Sequence, residues 1–169
     1  MNSEKLRELQ SPLKSRYKVK PEAAVVTLYS SGKIGEGVTC KVNTGKAMVE
    51  AGLHPATGGD GMAACSGDML LDALVACAGV TLNAVATAIE IDLGPGTEIR
   101  AEGDLDFRGT LGVDKEAPVG FKDIRLIFHL DTTAGLDQID TLIKLTERYC
   151  VVFQTLSNPP KIEREILTQ

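Results

Sequence analysis

Sulfur is the element with the most chemistry to offer in this chain, with cysteines at positions 40, 65, 77 and 150. A thiolate is a nucleophile and a metal ligand, whereas a buried thiol is a small hydrophobe, so each position has two readings. Cys77 lies within LLDALVACAGVTLNAVA and Cys150 within TERYCVVFQTLSNPP. Both fall on the apolar side of a predicted helix, where packing alone accounts for either residue. Together they allow more. Two core-facing thiols on crossing helices can bond if their Cα atoms come within about 7 Å. A thiolate that attacks a peroxide, with a second thiol beside it to resolve the product, is what a self-regenerating redox enzyme needs. Burial works against such a thiolate by raising the pKa of Cys77. The start of its own helix, near Ser66, is about 16 Å away along the axis and offers little help.

The other candidates carry less. Cys65 stands just before the same helix, where the dipole favours a thiolate, and is the third thiol to weigh for a redox role. Cys40 alternates inward on a predicted strand and reads as packing. Cys40, His54 and Cys65 contain no closely spaced ligand pair, so no zinc site is expected, nor any other metal or cofactor. His54, before Pro55, and His129, on the wet side of a strand, read as surface residues. Gly58-Gly59-Asp60-Gly61 lacks the strand and helix context of a phosphate loop. It reads as a turn that brings the chain close to the start of the long helix and lines the Cys77 pocket. Asp104 and Asp106 share a solvated strand face, with no cleft to make them an acid–base pair.

Positioning these residues takes an ordered set of strands and helices. A short helix near Glu4 to Leu9, capped by Asn2 or Ser3, is interrupted at Pro12. Ala23 to Ser30 has strand composition. Ser31-Gly32 with Gly35 and Gly37 marks a turn into a second strand holding Val38, Cys40 and Val42 on one face. A third strand near Lys46 to Leu53 leads into the glycine loop. The long helix has Ser66 as its expected N-cap and Asp68 in its first turn, and runs to about Asp92, where Gly94-Pro95-Gly96 stops it. Two alternating strands follow, about 98–108 and 123–130, each apolar on one face and charged on the other, with Ile127 the apolar exception. That pattern suits an antiparallel sheet wet on one side. A second helix spans roughly Leu136 to Leu156, ended by Asn158-Pro159-Pro160, and a last strand from Lys161 to Leu167 closes the chain. Strands, helix, strands, helix, strand make an α+β fold rather than a βαβ nucleotide fold.

Bulk properties narrow the partners. The 169 residues suit one domain or one subunit of an intertwined oligomer, and a hydrophobic fraction of 43% supplies a core without disulfides. A net charge of −5 with scattered basic residues argues against nucleic acid; the cluster from Lys14 to Lys20 reads as a solvated face. The N-terminus is charged and is not read as a secretory signal. Met69 to Ile91 has the length of a membrane span, but Asp72, Asn83 and Glu90 interrupt it, so it reads as a buried helix and no membrane partner is expected. A cytoplasmic protein follows, in which four cysteines are packing, metal-binding or redox groups rather than a disulfide scaffold.

The segments around the two cysteines resemble one known family. SGDMLLDALVACAGVTLNAVA is similar to the helix of the OsmC/Ohr superfamily, the osmotically inducible and organic hydroperoxide resistance proteins, where a phrase like NPEELLAAAHAAC ends in the reactive cysteine. ERYCVVFQTLSNPPKIE resembles that family's second-cysteine helix, usually CPVS before a closing strand. The resemblance covers residues 22–169, leaving 1–21 as an N-terminal helical extension. It implies an OsmC-like α+β fold, antiparallel sheets wrapped around long central helices in an intertwined homodimer. It also implies a Cys-based peroxidase acting on organic hydroperoxides, with Cys77 peroxidatic, Cys150 resolving and an external dithiol as reductant.

The chain also departs from the family pattern. Family peroxidases draw an arginine from the N-terminal hairpin to hold the cysteine as thiolate, and here SSGKIGEGVTCKVNTGK offers Lys33, Lys41 and Lys46 instead. Arg16 upstream is the substitute candidate, and Asp68 and Asp60 are the candidates for the family's acidic partner. CPVS has become Cys150-Val151-Val152-Phe153. Burial with no supplied cation predicts a Cys77 thiol near or above its free value of about 8.5, and turnover that rises with pH between roughly 7 and 9. Two further readings stay open: a non-catalytic dimer of the same fold binding a small apolar ligand, and a slow redox sensor or thiol scavenger.

Overall fold

The computed structural model describes residues 2–20, 31–34, 39–43 and 48–168. Its first element is a helix, α1 (Ser3–Val19), opened by Asn2, whose Oδ1 accepts from the Lys5 amide at 2.9 Å. The expected stop at Pro12 does not occur. A proline inside a helix removes one amide and kinks the rod, and here α1 continues past it.

Three strands then form an antiparallel ladder: β1 (Ser31–Ile34), β2 (Thr39–Asn43) and β3 (Met48–Gly52). Ser31-Gly32, read from sequence as a turn, belongs to β1 and pairs with Asn43 and Val42. The strand expected over Ala23 to Ser30 and the side chain of Cys40 lie outside the described residues. A two-residue strand, β4 (Ala64–Cys65), joins β3 in parallel and delivers the chain into α2 (Ser66–Ala88).

Helix α2 organises the fold. At 23 residues and mean hydropathy 1.8 it is long and apolar enough to cross a membrane by length and composition alone. Its stripe Leu74, Ala78, Leu82 and Ala86, at spacings of four, is buried instead. Cys65, rather than Ser66, is its N-cap residue. The helix ends at Ala88, short of the expected Asp92, because Glu90 turns into the left-handed region at φ 59. The Ile91 amide then reaches back to the Ala86 carbonyl at 2.9 Å, and Ile91 folds into the core beside Ala86. That is a Schellman closure with a glutamate where glycine is usual.

Strand β5 (Glu98–Leu105) pairs antiparallel with β6 (Phe121–His129), and the alternation anticipated from sequence holds: Ile99, Ala101, Gly103 and Leu105 turn inward, Glu98, Arg100, Glu102 and Asp104 outward. Arg125 bridges Glu102 and Asp104 on the wet face. The strand expected to reach Arg108 ends earlier. Asp106 takes the Arg108 amide and opens a four-residue helix, α3 (Phe107–Thr110). The core gathers Leu82, Ala86, Ile91 and Leu142, with Ile99, Phe128 and Leu130 packed against them. Truncating Leu82 or Leu142 to alanine would cost about 2–5 kcal/mol.

The expected single helix over Leu136 to Leu156 is two, α4 (Leu136–Tyr149) and α5 (Val151–Ser157), with Cys150 between them at φ −75, ψ 109. The apolar periodicity continues across the break, so pattern alone does not register it. Beyond Ser157 the chain is extended and exposed. The strand expected over Lys161 to Leu167 is not formed within this chain, and Ile162, Ile166 and Leu167 stand in solvent.

Candidate functional site

Cys77 lies midway along α2, half-buried, one turn past buried Leu74 and beside buried Ala78. Cys150 is fully buried at the α4–α5 junction. Helix α5 packs on α2, so the two thiols face each other. Thr81, one turn on from Cys77, donates its hydroxyl to the Cys77 carbonyl at 2.8 Å, which keeps that oxygen near the sulfur.

The break at Cys150 decides what else Cys77 meets. In an unbroken helix the amides of Val151, Val152 and Phe153 would bond the carbonyls of Glu147, Arg148 and Tyr149. Here the ladder stops at Cys150, whose amide still bonds Thr146 at 2.9 Å, and resumes with Gln154 bonding the Cys150 carbonyl at 2.9 Å. The amides between are released at the start of α5, the helix that packs on α2. Of the abandoned carbonyls, Glu147 is taken by the Gln154 side chain, Nε2 donating at 2.9 Å. Buried peptide groups need partners, and this exchange supplies them.

The thiols part company in acidity. Burial pushes Cys77 up, but the Val152 amide, the Cys150 thiol, the Val151 amide and the Thr81 hydroxyl together outweigh it, and its pKa falls below the ordinary thiol value. At Cys150 burial prevails. The Phe153 and Val152 amides oppose it, while donation to Cys77 and the negative charge there add to it, and its pKa rises. The sequence expectation of a Cys77 thiol raised by burial, with no cation to offset it, meets a shift in the opposite direction here. It counted side-chain cations and the distant start of α2, and did not see that the start of a second helix would be laid against the sulfur.

Of the three expected activators, Asp60 and Asp68 have described side chains. Asp60 is exposed and accepts from the Met62 amide at 2.9 Å, and Asp68 is exposed in the first turn of α2, about 13 Å along the axis from Cys77. The side chains of Arg16 and of the hairpin lysines Lys33, Lys41 and Lys46 lie outside the described residues. Among those described, no charged side chain acts on Cys77. Val151, Val152, Thr81 and Gln154 were not singled out from sequence. A hint was available in the Cys-Val-Val-Phe phrase, since two β-branched residues lower helix propensity after Cys150.

The glycine loop also serves a different place from the one expected. Gly59 closes on the Leu53 backbone, where a Cβ would collide with the Leu53 carbonyl oxygen at 1.8 Å. His54, expected at the surface, is half-buried: its Nδ1 accepts from the Ala56 amide at 3.0 Å and its ring stacks on Phe107, 4.9 Å between centroids. Leu53, His54 and Phe107 border a cavity of about 410 Å³ at the start of α2, where Cys65 lies with Leu70, Leu105 and Phe121. Among the described residues, no group of three His, Cys, Asp or Glu is placed to hold a metal ion.

Comparison with known proteins places these features in context. Residues 58–165 match the family model described as OsmC-like protein. The fold is similar to the OsmC-like protein of Mycoplasma pneumoniae, at 17% identity, TM-score 0.65, covering 79% of this chain and 89% of that one. It is similar to an organic hydroperoxide resistance protein OsmC of Legionella pneumophila, described as a predicted redox protein and regulator of sulfide bond formation, at 18% identity, TM-score 0.61, covering 80% and 92%. It also resembles the organic hydroperoxide resistance protein OhrB of Bacillus subtilis, at 17% identity, TM-score 0.55, covering 80% and 94%. No curated protein matches the sequence.

Proposed function

The chain belongs to the OsmC-like protein family, and from that premise we propose that it is a thiol-dependent peroxidase that reduces organic hydroperoxides through Cys77 and Cys150. The family includes proteins named for organic hydroperoxide resistance, which supports a peroxide-related redox role at family level. The observation that carries the finer reading is the opposed acidity of two facing thiols, Cys77 lowered and Cys150 raised. Paired groups whose surroundings push their pKa values apart divide the labour of nucleophile and proton donor.

On this reading the Cys77 thiolate attacks the terminal oxygen of the hydroperoxide. The O–O bond breaks, the alkoxide leaves as alcohol with a proton from Cys150, and the terminal hydroxyl stays on Cys77 as a sulfenic acid. The Cys150 thiolate then attacks the Cys77 sulfur, the S–O bond breaks, and hydroxide leaves, taking a proton from solvent to become water, as the disulfide forms. An external dithiol returns two electrons and two protons to restore both thiols. No metal or cofactor enters these steps, and a reducing compartment such as the cytoplasm suits them.

The working unit is a homodimer. Much of the apolar surface of α2 is exposed, with Val80 73% exposed, and the tail bearing Ile162, Ile166 and Leu167 forms no strand and stands in solvent. A second copy would cover both. Sedimentation at micromolar concentration should give a dimer; an 18 kDa species alone would refute it.

The chemistry is tested by adding an organic hydroperoxide to the reduced protein. One equivalent should link the Cys77 and Cys150 peptides in a digest, and excess hydroperoxide with an external dithiol should turn over. A linkage without turnover would favour the redox-sensor reading, and no linkage at all the ligand-binding one.

A further inference from the structure

We infer that the cavity at the start of α2 is a second binding site, for a neutral one- or two-ring aromatic molecule with one hydrogen-bond acceptor, the class of a small aryl ketone. The inference is independent of the peroxidase reading, because Cys65 at this cavity lies about 18 Å along the axis of α2 from Cys77.

Size comes first. The cavity holds about 410 Å³, and benzene binds in an engineered apolar cavity of about 150 Å³, so a second ring is accommodated. Its walls are apolar, built from Leu53, Leu70, Leu105, Phe107, Val119 and Phe121, and no Asp, Glu, Lys or Arg side chain lines it. A charged ligand would leave water for walls that cannot pair it, which selects a neutral one. Leu53, Leu70 and Val119 are exposed, so the cavity opens to solvent. His54 and Phe107 form a stacked pair, 4.9 Å between centroids and 16° between planes. With Phe121 they give the cavity aromatic surface suited to a flat ring. His54 also supplies the polar end. Its Nδ1 accepts from the Ala56 amide at 3.0 Å, so the neutral ring carries its proton on Nε2, which donates to no described residue. A carbonyl oxygen on the ligand gives that proton an acceptor.

Gly67 keeps the space open. It stands in the first turn of α2, where alanine is the better helix former. A Cβ there would meet Phe121, Leu105 and the Cys65 sulfur at 3.4, 3.5 and 3.6 Å, ordinary contacts without a clash. All three residues line the cavity, so a side chain at position 67 grows toward it. The fold admits a filling residue at this point and has none.

The test uses the reduced, full-length protein without peroxide. The probes 2-acetylnaphthalene and 2-ethylnaphthalene share two rings and differ in the acceptor oxygen. Equilibrium dialysis should show saturable binding of the ketone and about fivefold weaker binding of the hydrocarbon, the worth of one hydrogen bond. Cys65 reports where the ligand sits. Ketone at ten times its Kd should slow Cys65 alkylation by iodoacetamide about tenfold, by mass action, and leave Cys77 alkylation unchanged. Peptide mass spectrometry reads both sites. His54→Phe keeps an aromatic ring against Phe107 and removes the donor, so the two probes should then bind equally. Gly67→Leu fills the space and should abolish saturable binding of both. Equal wild-type affinity for ketone and hydrocarbon, ketone binding that leaves Cys65 unprotected, or no saturable binding would overturn the inference. Cys65 inert to alkylation before any ligand is added would also overturn it, as the mark of a cavity that a second copy already covers. Peroxide turnover is scored separately: an inactive wild type that binds the ketone in this way would remove the peroxidase reading and leave the second site standing.

Discussion

Among the described residues, two helices begin on a cysteine. Cys65 opens the 23-residue α2 and Cys150 the seven-residue α5, both from extended backbone and neither with a capping bond from its own side chain. If helix length governed sulfur chemistry, the start of α2 would be the privileged place, since its dipole is the better developed. The thiol with lowered pKa belongs to neither cap. It is Cys77, midway along α2, which meets the first turn of the shorter helix together with a second thiol. The dipole's influence falls off within the first turn, so what counts is which sulfur is brought to the released amides. At α5 tertiary packing brings one from another helix. At α2 the described neighbours are Leu105, Phe121 and the cavity wall, with no second cysteine among them.

The strongest way to break this comparison is to exchange the sulfurs. Cys77→Ser should reduce hydroperoxide turnover by about a thousandfold or more, as loss of a covalent nucleophile does, while Cys65→Ser leaves it within a fewfold of wild type. Turnover that survives at Cys77→Ser and fails at Cys65→Ser would reverse the assignment. Cys150→Ser has a smaller and different effect. A first equivalent of peroxide should still be consumed, but Cys77 should stop as a sulfenic acid that a dimedone adduct reveals by mass. Finding Cys65 linked to Cys77 in the wild-type protein would mean that the two helix starts communicate after all.

Acidity sharpens the same contrast. With its pKa lowered from the ordinary thiol value while that of Cys150 is raised, Cys77 keeps its thiolate to lower pH than Cys150 and loses it only as pH falls through the lowered value. The pH–rate curve for its alkylation should therefore have its midpoint below that for Cys150. A Cys77 curve still rising steeply between pH 8 and pH 9, on the order of one decade per unit, would restore the weaker site that the sequence suggested.

That expectation went astray for a physical reason. Helix α2, the inward and outward faces of β5 and the amphipathic run from Leu136 were legible because period and composition govern them, and the segments flanking both thiols carried a recognisable family pattern. The contact between α2 and α5 was anticipated as a possibility, since both cysteines sit on apolar faces. What pattern does not encode is a single extended residue. Cys150 breaks its helix without a glycine or proline, and the Glu147 carbonyl left open there is taken by Gln154, whose type is at home in any helix. A search for a cation among the side chains then passed over the backbone, whose amides are the same in every sequence and acquire a role only through placement. Glu90 illustrates the same limit at the other end of α2, where a left-handed residue stops the helix before the glycines that were expected to.

The smallest expected effect concerns stability at Cys65. Serine is among the preferred N-cap residues because its oxygen accepts from an amide of the first turn, and such a cap contributes about 1 kcal/mol over alanine. Cys65 makes no such bond, so the first turn of α2 has amides to offer. Against the gain stands the loss of a half-buried sulfur from the cavity it lines with Leu105 and Phe121, worth roughly half of the 0.8 kcal/mol of a buried methylene. The cap should win by about 0.5 kcal/mol, a rise in Tm of about 1–2 °C for a domain of this size. Cys65→Ala isolates the two contributions, since it surrenders the sulfur without gaining the cap, and should fall about 1 kcal/mol below Cys65→Ser in denaturant unfolding. If serine and alanine prove equal, the first-turn amides of α2 are not open to a side-chain acceptor. The two helix starts would then differ in accessibility as well as in company, and the absence of a second thiol could not by itself explain why Cys65 stands apart from the reacting pair.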